Sequence, residues 1–138
     1  MVQIGDAGEV GATGAVLTTD LLRGNTDTIV LAVLRQGDSY GFDIYKQIRD
    51  ATAGRHEIKE ATLYATYRRL MADGLVEAYW GDETQGGRRK YYRITDAGRA
   101  VYERNVLAWT ATRDVIDTLL GLAPSTARRG GGNGRRPS

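Results

Sequence analysis

Cysteine is absent from this 138-residue chain, and histidine occurs once, at His56. Without thiols the chain forms no disulfide and offers no thiolate metal ligand. A single histidine is also a poor start for a metal site, so we expect neither a metal nor a cofactor. No apolar run approaches the roughly 18 residues of a membrane span, and no basic start with an apolar stretch marks a signal peptide. These absences predict a cytoplasmic protein without a membrane partner.

Positive charge is concentrated at the end of the chain. The net charge is +2, but the stretch 122–138 carries Arg128, Arg129, Arg135 and Arg136 with no acid. The rest of the chain is therefore net acidic. A surface that binds nucleic acid must then be a local cluster of cations.

The two ends of the chain show little apolar pattern. Residues 1–18 are predicted to be a flexible lead, and 122–138 an Arg/Gly-rich disordered tail, because neither stretch buries enough to offset its ordering entropy. The folded part is therefore expected between them.

Three helices are predicted in the first part of the folded region, at Thr19–Gln36, Tyr40–Ala53 and Lys59–Asp73. The first contains "TIVLAVL", which is too apolar for a surface helix. Each helix is followed by a glycine, as helix C-termini often are. The third has a core face of Leu63, Tyr67, Leu70 and Met71 and an opposite face of Thr62, Thr66 and Arg69.

A β-hairpin follows the helices. The runs "LVEAYW" at 75–80 and "KYYRI" at 90–94 alternate as strands do, and a glycine-containing loop separates them. Trp80 and Tyr92 are expected to fix the strands to the body, while the tip projects. Three helices and a projecting hairpin predict a winged helix-turn-helix over 19–95, in a chain that is mainly α.

A final helix is predicted at 96–121, with Thr95 as its cap. Its apolar residues recur with heptad spacing, which favours pairing with a second copy of the chain. We therefore expect a homodimer. The predicted dimer interface consists of Tyr102, Val106, Trp109, Ile116 and Leu120.

The third helix and the hairpin tip together suggest double-stranded DNA as partner, because a helix fits the major groove and a wing reaches the neighbouring backbone. Threonines on a helix are also common on a plain solvated face, Tyr64 could serve packing, and three adjacent cations could be only a soluble turn. The predicted DNA contacts are Lys59, Thr62, Tyr64, Ala65, Thr66, Arg68, Arg69, Gln85, Gly86, Gly87, Arg88, Arg89 and Lys90.

Catalysis is not indicated. "QGGRRK" lacks the spacing of a phosphate-binding loop, and its glycines precede a strand instead of a helix. No nucleophile–base pair or carboxylate dyad stands out either, so we predict no catalytic residue and no enzyme.

The chain resembles the PadR family of bacterial transcriptional regulators. The resemblance lies in "LLRG" at 21–24, "YGFDIYKQI" at 40–48, "EATLYATYRRLMADGLV" at 60–76 and "GGRRKYYRIT" at 86–95. Many members have proline where Ala65 stands. The undivided final helix is similar to the short branch of the family, and "YWGDETQGGRRKYY" to its multidrug-binding regulators. The resemblance implies a homodimeric repressor whose inducer loosens its grip on operator DNA.

Trp109 has two interpretations. It either anchors the dimer core, or it faces its own copy and leaves a flat slot for a planar aromatic effector. The similar multidrug regulators imply the second, with Leu21, Thr28, Ala32 and Arg35 lining the same pore. Arg113, one turn after Trp109, is placed beside that ligand and leaves its charge open.

Two hypotheses remain after the sequence is considered. The first is a DNA-binding repressor. In it, a ligand bound at the Trp109 seam, the line of heptad-spaced residues on the final helix, alters the spacing between the third helices of the two copies. The second is a dimeric winged-helix scaffold that binds protein without specific DNA binding.

Overall fold

The computed structural model describes residues 22–82 and 87–123. All of the predicted lead (1–18), Leu21 and most of the predicted tail lie outside these ranges. The chain divides into two compact units, with the boundary between Tyr102 and Glu103. In chain order the elements are α1 (Thr26–Gln36), β1 (Ser39–Tyr40), α2 (Gly41–Ala51), α3 (Glu60–Ala72), β2 (Val76–Trp80), β3 (Lys90–Ile94) and α4 (Asp96–Leu119). This order confirms the predicted winged helix-turn-helix in a mainly helical chain.

Helix α1 is shorter than predicted. The single helix expected from Thr19 is interrupted by a turn at Gly24 and Asn25, closed by a hydrogen bond of 2.8 Å from the Asn25 amide to the Leu22 carbonyl oxygen. Glycine and asparagine are weak helix formers, so two of them in succession end one helical segment before α1 begins.

The core of the first unit is built by one face of each helix and one face of the sheet. The apolar stretch of α1 is buried as its composition predicts, and α3 inserts the predicted leucines and a tyrosine. Each leucine removed from water here contributes about 2 kcal/mol. The buried apolar side chains are Val30, Leu31, Leu34, Ile44, Ile48, Leu63, Tyr67, Leu70, Val76, Tyr92 and Ile94.

The wing is a three-stranded antiparallel sheet in the order β1-β3-β2, one strand more than the predicted hairpin. The short strand β1 pairs with β3 through Ser39 opposite Tyr92. Tyr92 is buried as predicted, whereas Trp80 is 57% exposed. The expectation that Trp80 fixes its strand to the body is therefore wrong. Trp80 is the last residue of β2 and lies beyond the part of the sheet that covers the core.

Thr95 caps α4, as predicted. Its hydroxyl accepts a hydrogen bond from the Gly98 amide at 3.0 Å and donates one to the Gly74 carbonyl oxygen at 2.8 Å. The helix also passes very close to the turn before β2: a Cβ at Gly98 would lie 2.2 Å from the Leu75 carbonyl oxygen. Only a glycine fits between these two backbone segments.

The burial of Tyr67 makes the stability of the fold depend on pH in the alkaline range. Burial raises the pKa of Tyr67 and of Tyr92, from the value near 10 that an unfolded chain shows. A raised folded-state pKa gives stability that is complete below about pH 10 and is lost as pH rises toward the folded pKa.

The free energy of unfolding should therefore fall above about pH 10, as measured by urea titrations at successive pH values. Tyr67→Phe should flatten this fall while costing about 1 kcal/mol at neutral pH, because the Tyr67 hydroxyl donates to the Gly41 carbonyl oxygen at 3.2 Å. An alkaline limb equally steep in Tyr67→Phe would contradict the assignment.

Candidate nucleic-acid interface

Helix α3 is held by its buried face and presents the other side to solvent. Lys59, Thr62 and Arg68 are exposed and Ala65 is half-buried. A shallow groove of about 410 Å³ runs beside this face, between α3 and the start of α1. Thr62 and Ala65 are small, so the side chains at the centre of this face project little from the helix. This is the face that a groove-binding helix requires.

Thr66 does not lie on that exposed face. It is only 1% exposed, and its hydroxyl donates to the Thr62 carbonyl oxygen at 2.9 Å. The expectation that Thr66 shares the exposed face of α3 with Thr62 is therefore wrong, while its contact with DNA stays a prediction. Helix α1 packs against α3, so the buried side of α3 is wider than the spacing of its leucines indicates.

Arg69 is engaged by an acid. Its guanidinium donates to a carboxylate oxygen of Asp27 in α1, and this hydrogen bond together with the negative charge of Asp27 raises the pKa of Arg69. Arg69 thus lies beside the exposed face of α3 as predicted, but with a partner from the protein itself.

Tyr64 combines the two roles that the sequence left open. Its ring packs edge-on against Tyr67, with 5.1 Å between ring centroids, while the side chain remains partly exposed. The far end of the ring lies over Gly41, where a Cβ would come within 2.3 Å of the Tyr64 hydroxyl. The Tyr64 hydroxyl can occupy this position only because Gly41 has no side chain.

The cations at the base of the wing are Arg88, Arg89 and Lys90, and the two arginines lie on aromatic rings. The guanidinium of Arg88 is 5.8 Å from the Trp80 ring centroid, and that of Arg89 is 4.7 Å from the Tyr40 ring centroid. Lys90 is exposed and pairs with Trp80 across the hairpin. Such contacts hold arginine side chains extended without neutralising them. Of the predicted tip residues, Gly87 has a φ of +85°, and Gln85 and Gly86 lie outside the described residues.

A cleft of about 450 Å³ joins the wing base to the start of α2. Sequence reasoning missed three of its residues, Tyr40, Phe42 and Lys46. The signal in the sequence was "YGF" at the start of an amphipathic helix. In the structure Phe42 is 47% exposed, and the Lys46 ammonium lies 5.8 Å from its ring centroid. Ammonium, guanidinium and phenol groups around one cleft are the donors that contact sugar–phosphate backbones. The cleft is lined by Tyr40, Gly41, Phe42, Lys46, Tyr64, Arg89, Lys90 and Tyr92.

The residues predicted to line a ligand pore are divided between the two units. Thr28 and Ala32 are half-buried on α1. Arg35 is exposed at the end of α1, and its guanidinium lies 4.6 Å from the Tyr102 ring centroid. Leu21 lies outside the described residues, and Trp109 and Arg113 belong to the second unit.

The second unit carries an apolar surface wider than the predicted seam. Trp109, Ile116 and Leu120 are exposed on it, and Val106 is half-buried. The Nε atom of Arg113 is buried and makes no hydrogen bond within the described part of the chain. The heptad pattern missed four further exposed side chains, which are Leu107, Val115, Leu119 and Leu122.

Other kinds of site find no support in the described ranges. Within residues 22–82 and 87–123, no three His, Asp or Glu side chains converge as metal ligands. Over the same residues, no helix is long and apolar enough to cross a membrane.

Three helices followed by an antiparallel wing with cations at its base define a winged-helix protein. The family model of the PadR-like transcriptional regulators matches residues 30–104 of the chain. A transcriptional regulator from Clostridium thermocellum is 44% identical, with a TM-score of 0.67 over 72% of this chain and 93% of its own. A PadR family regulator from Eggerthella lenta is 32% identical, with a TM-score of 0.72 over 83% of this chain and 97% of its own.

An uncharacterized protein from Lysinibacillus sphaericus is 40% identical over 105 residues, 76% of this chain and 96% of its own. The chain therefore belongs to the PadR-like family of transcriptional regulators. The family assignment made from the motifs is confirmed, and with it the prediction of a DNA-binding regulator that is not an enzyme.

Proposed function

We propose that the chain is a homodimeric repressor whose two copies bind a pseudo-palindromic operator through α3 and the wing. The observation that supports this most directly is the cleft at the wing base. It places Lys46, Arg89 and Lys90 around the phenol rings of Tyr40 and Tyr64. Cations and hydroxyls set around one cleft suit the phosphate backbone of a duplex.

The proposed DNA contacts divide between two tasks. Thr62 and Ala65, small and accessible on α3, face base edges in the major groove. The cations at the wing base, with Lys59 and Arg68, contact phosphates and fix the register of the protein on the duplex. A second copy then places an equivalent α3 one helical turn away, which is why the operator would be pseudo-palindromic.

Dimerisation is proposed from the second unit. Its exposed apolar side chains, among them Trp109, Ile116 and Leu119, exceed what a solvated helix normally leaves in water. Helix α4 is about 36 Å long at 1.5 Å per residue, enough for several heptad layers. A second copy of the same helix would cover these side chains.

A planar hydrophobic effector at the Trp109 seam is the proposed inducer. Trp109 is 43% exposed, so part of its surface is available to an aromatic ligand. Binding between two copies would change the spacing of the two α3 helices and weaken the operator complex.

The proposed regulatory function is tested by selecting bound sequences from a random duplex library at moderate salt. The recovered complex is then challenged with planar dyes. We expect one enriched pseudo-palindromic sequence, bound by a dimer in sedimentation experiments. Enrichment of no sequence would refute DNA-specific regulation.

The effector site requires a variant with one fluorescent reporter, because the chain has two tryptophans. In Trp80→Phe the remaining Trp109 emission should be quenched by a dye that also releases the DNA. Trp109→Ala should abolish dye binding, followed by the fluorescence anisotropy of the dye itself, and the release of DNA by the dye. Unchanged dye binding in Trp109→Ala would overturn the effector proposal and leave the regulator untouched.

A further inference from the structure

An acid occupies the side of the molecule that is proposed to meet DNA. Asp27 lies in the first turn of α1 and accepts a hydrogen bond from the Arg69 guanidinium on α3. Both side chains keep about half of their surface in solvent, at 40% for Asp27 and 52% for Arg69. The second guanidinium contact is the Thr66 hydroxyl at 3.5 Å. The carboxylate thus holds Arg69 against the protein at the margin of the groove beside α3.

The pair contributes little to folding. Exposed ion pairs gain modest energy because water screens the charges and the long arginine side chain loses rotamer freedom. The Arg93–Glu77 pair on the outer face of the sheet is similar, with an N–O distance of 3.0 Å and comparable exposure. What distinguishes Asp27–Arg69 is its place beside the exposed face of α3.

A carboxylate in this position acts against DNA in two ways. It repels approaching phosphates, and it occupies a guanidinium that would otherwise contact one. Arginine binds carboxylate and phosphate with the same planar geometry, so the guanidinium can exchange one partner for the other. After such an exchange the carboxylate would remain unpaired close to the polyanion.

We propose, on the basis of the proposed DNA-binding function, that Asp27 is an affinity-limiting residue that keeps Arg69 from contacting a DNA phosphate. The restraint acts on every duplex, because phosphates carry no sequence information. Its effect is to weaken non-specific binding, whose strength comes almost entirely from cation–phosphate contacts. Discrimination between the operator and other DNA then depends more on base contacts from α3.

Four variants of the full chain test this restraint: Asp27→Asn, Arg69→Gln, the two together, and Glu77→Gln. The last is the matched control, because it also removes one negative charge and releases one arginine, but on the outer face of the sheet. The probes are a fluorescein-labelled duplex of random sequence and a duplex recovered by selection with the wild-type chain. Thermal unfolding of each variant checks that the fold is retained.

Asp27→Asn should bind the random duplex roughly five- to tenfold more tightly at about 0.1 M salt, the gain expected from one additional phosphate contact. The slope of log affinity against log salt should steepen by about 0.9. Arg69→Gln should cost more affinity in the Asp27→Asn background than in the wild type, because only there is Arg69 unrestrained. Glu77→Gln should stay within about twofold of the wild type, as an exposed pair away from the duplex should.

Unchanged affinity in Asp27→Asn would overturn the proposal. It would also be overturned by an Arg69→Gln cost equal in both backgrounds, since the gain would then come from charge alone and not from a released arginine. An equal gain in Glu77→Gln would reduce the effect to net charge. If the wild-type chain binds neither duplex, the DNA-binding proposal itself fails, which the other outcomes do not imply.

Discussion

Replacing Arg88 and Arg89 together by glutamine is expected to reduce affinity for DNA roughly 50-fold at about 0.1 M salt, because two phosphate contacts are lost. The slope of log affinity against log salt should become shallower by about 1.8. Both guanidiniums lie on aromatic rings of the wing base and remain charged and exposed. Fluorescence anisotropy of a labelled duplex at several salt concentrations measures both quantities.

The matched control is Arg99→Gln with Arg104→Gln. These exposed arginines of α4 belong neither to α3 nor to the wing, and their removal changes the net charge equally. We expect a change of less than about threefold. Equal losses in the two double variants would reduce the wing to a source of general positive charge. If the chain is instead a scaffold that binds protein, it should have no salt-dependent affinity for DNA, and neither double variant should change its DNA binding.

Gly98→Ala is expected to lower the free energy of unfolding by about 3 kcal/mol, at the upper end of overpacking effects. In an open helix the same change would be stabilising, by about 1 kcal/mol, because alanine is the better helix former. Here the added methyl would lie 2.2 Å from the Leu75 carbonyl oxygen and 2.8 Å from the Ile94 side chain. The oxygen is backbone and already accepts from the Thr95 amide at 3.0 Å, so the strain cannot be relieved by a rotamer change.

Gly24→Ala provides the comparison for Gly98→Ala. No atom lies within 4 Å of the corresponding Cβ position, so stability should change by less than about 0.5 kcal/mol, as at other uncrowded surface positions. Urea denaturation monitored by circular dichroism gives both values. A neutral or stabilising Gly98→Ala would show that α4 does not need close contact with the turn before β2.

The elements and the core were predictable because their patterns are local. The helical spacing of Leu63, Tyr67 and Leu70 and the alternation of Tyr92 and Ile94 both identify buried faces. The position of the α4 cap followed from Thr95 alone. The order of these elements, three helices and then a hairpin, already predicted the winged helix-turn-helix, and the family motifs added the class of regulator.

The parts that failed depend on contacts between distant segments. Strand β1 has two residues, too few for an alternating pattern, and exists because β3 offers it an edge. Thr66 is buried because α1 covers a side of α3 that its own sequence leaves polar. The pairing of Asp27 with Arg69 joins residues 42 positions apart, which no spacing rule detects.

The central place of β3 in the sheet limits how the wing can vary in length. Strand β3 pairs with β1 on one side and with β2 on the other. A shift of β3 by one residue relative to these strands would bring Arg93 into the core in place of Tyr92. The Gly81 amide, bound to the Arg89 carbonyl oxygen at 2.7 Å, is the last described rung before the tip. Insertions and deletions between Asp82 and Gly87 would therefore leave this rung and Arg88 in place. A regulator of this design can acquire a longer or shorter tip while the cations that follow it keep their positions.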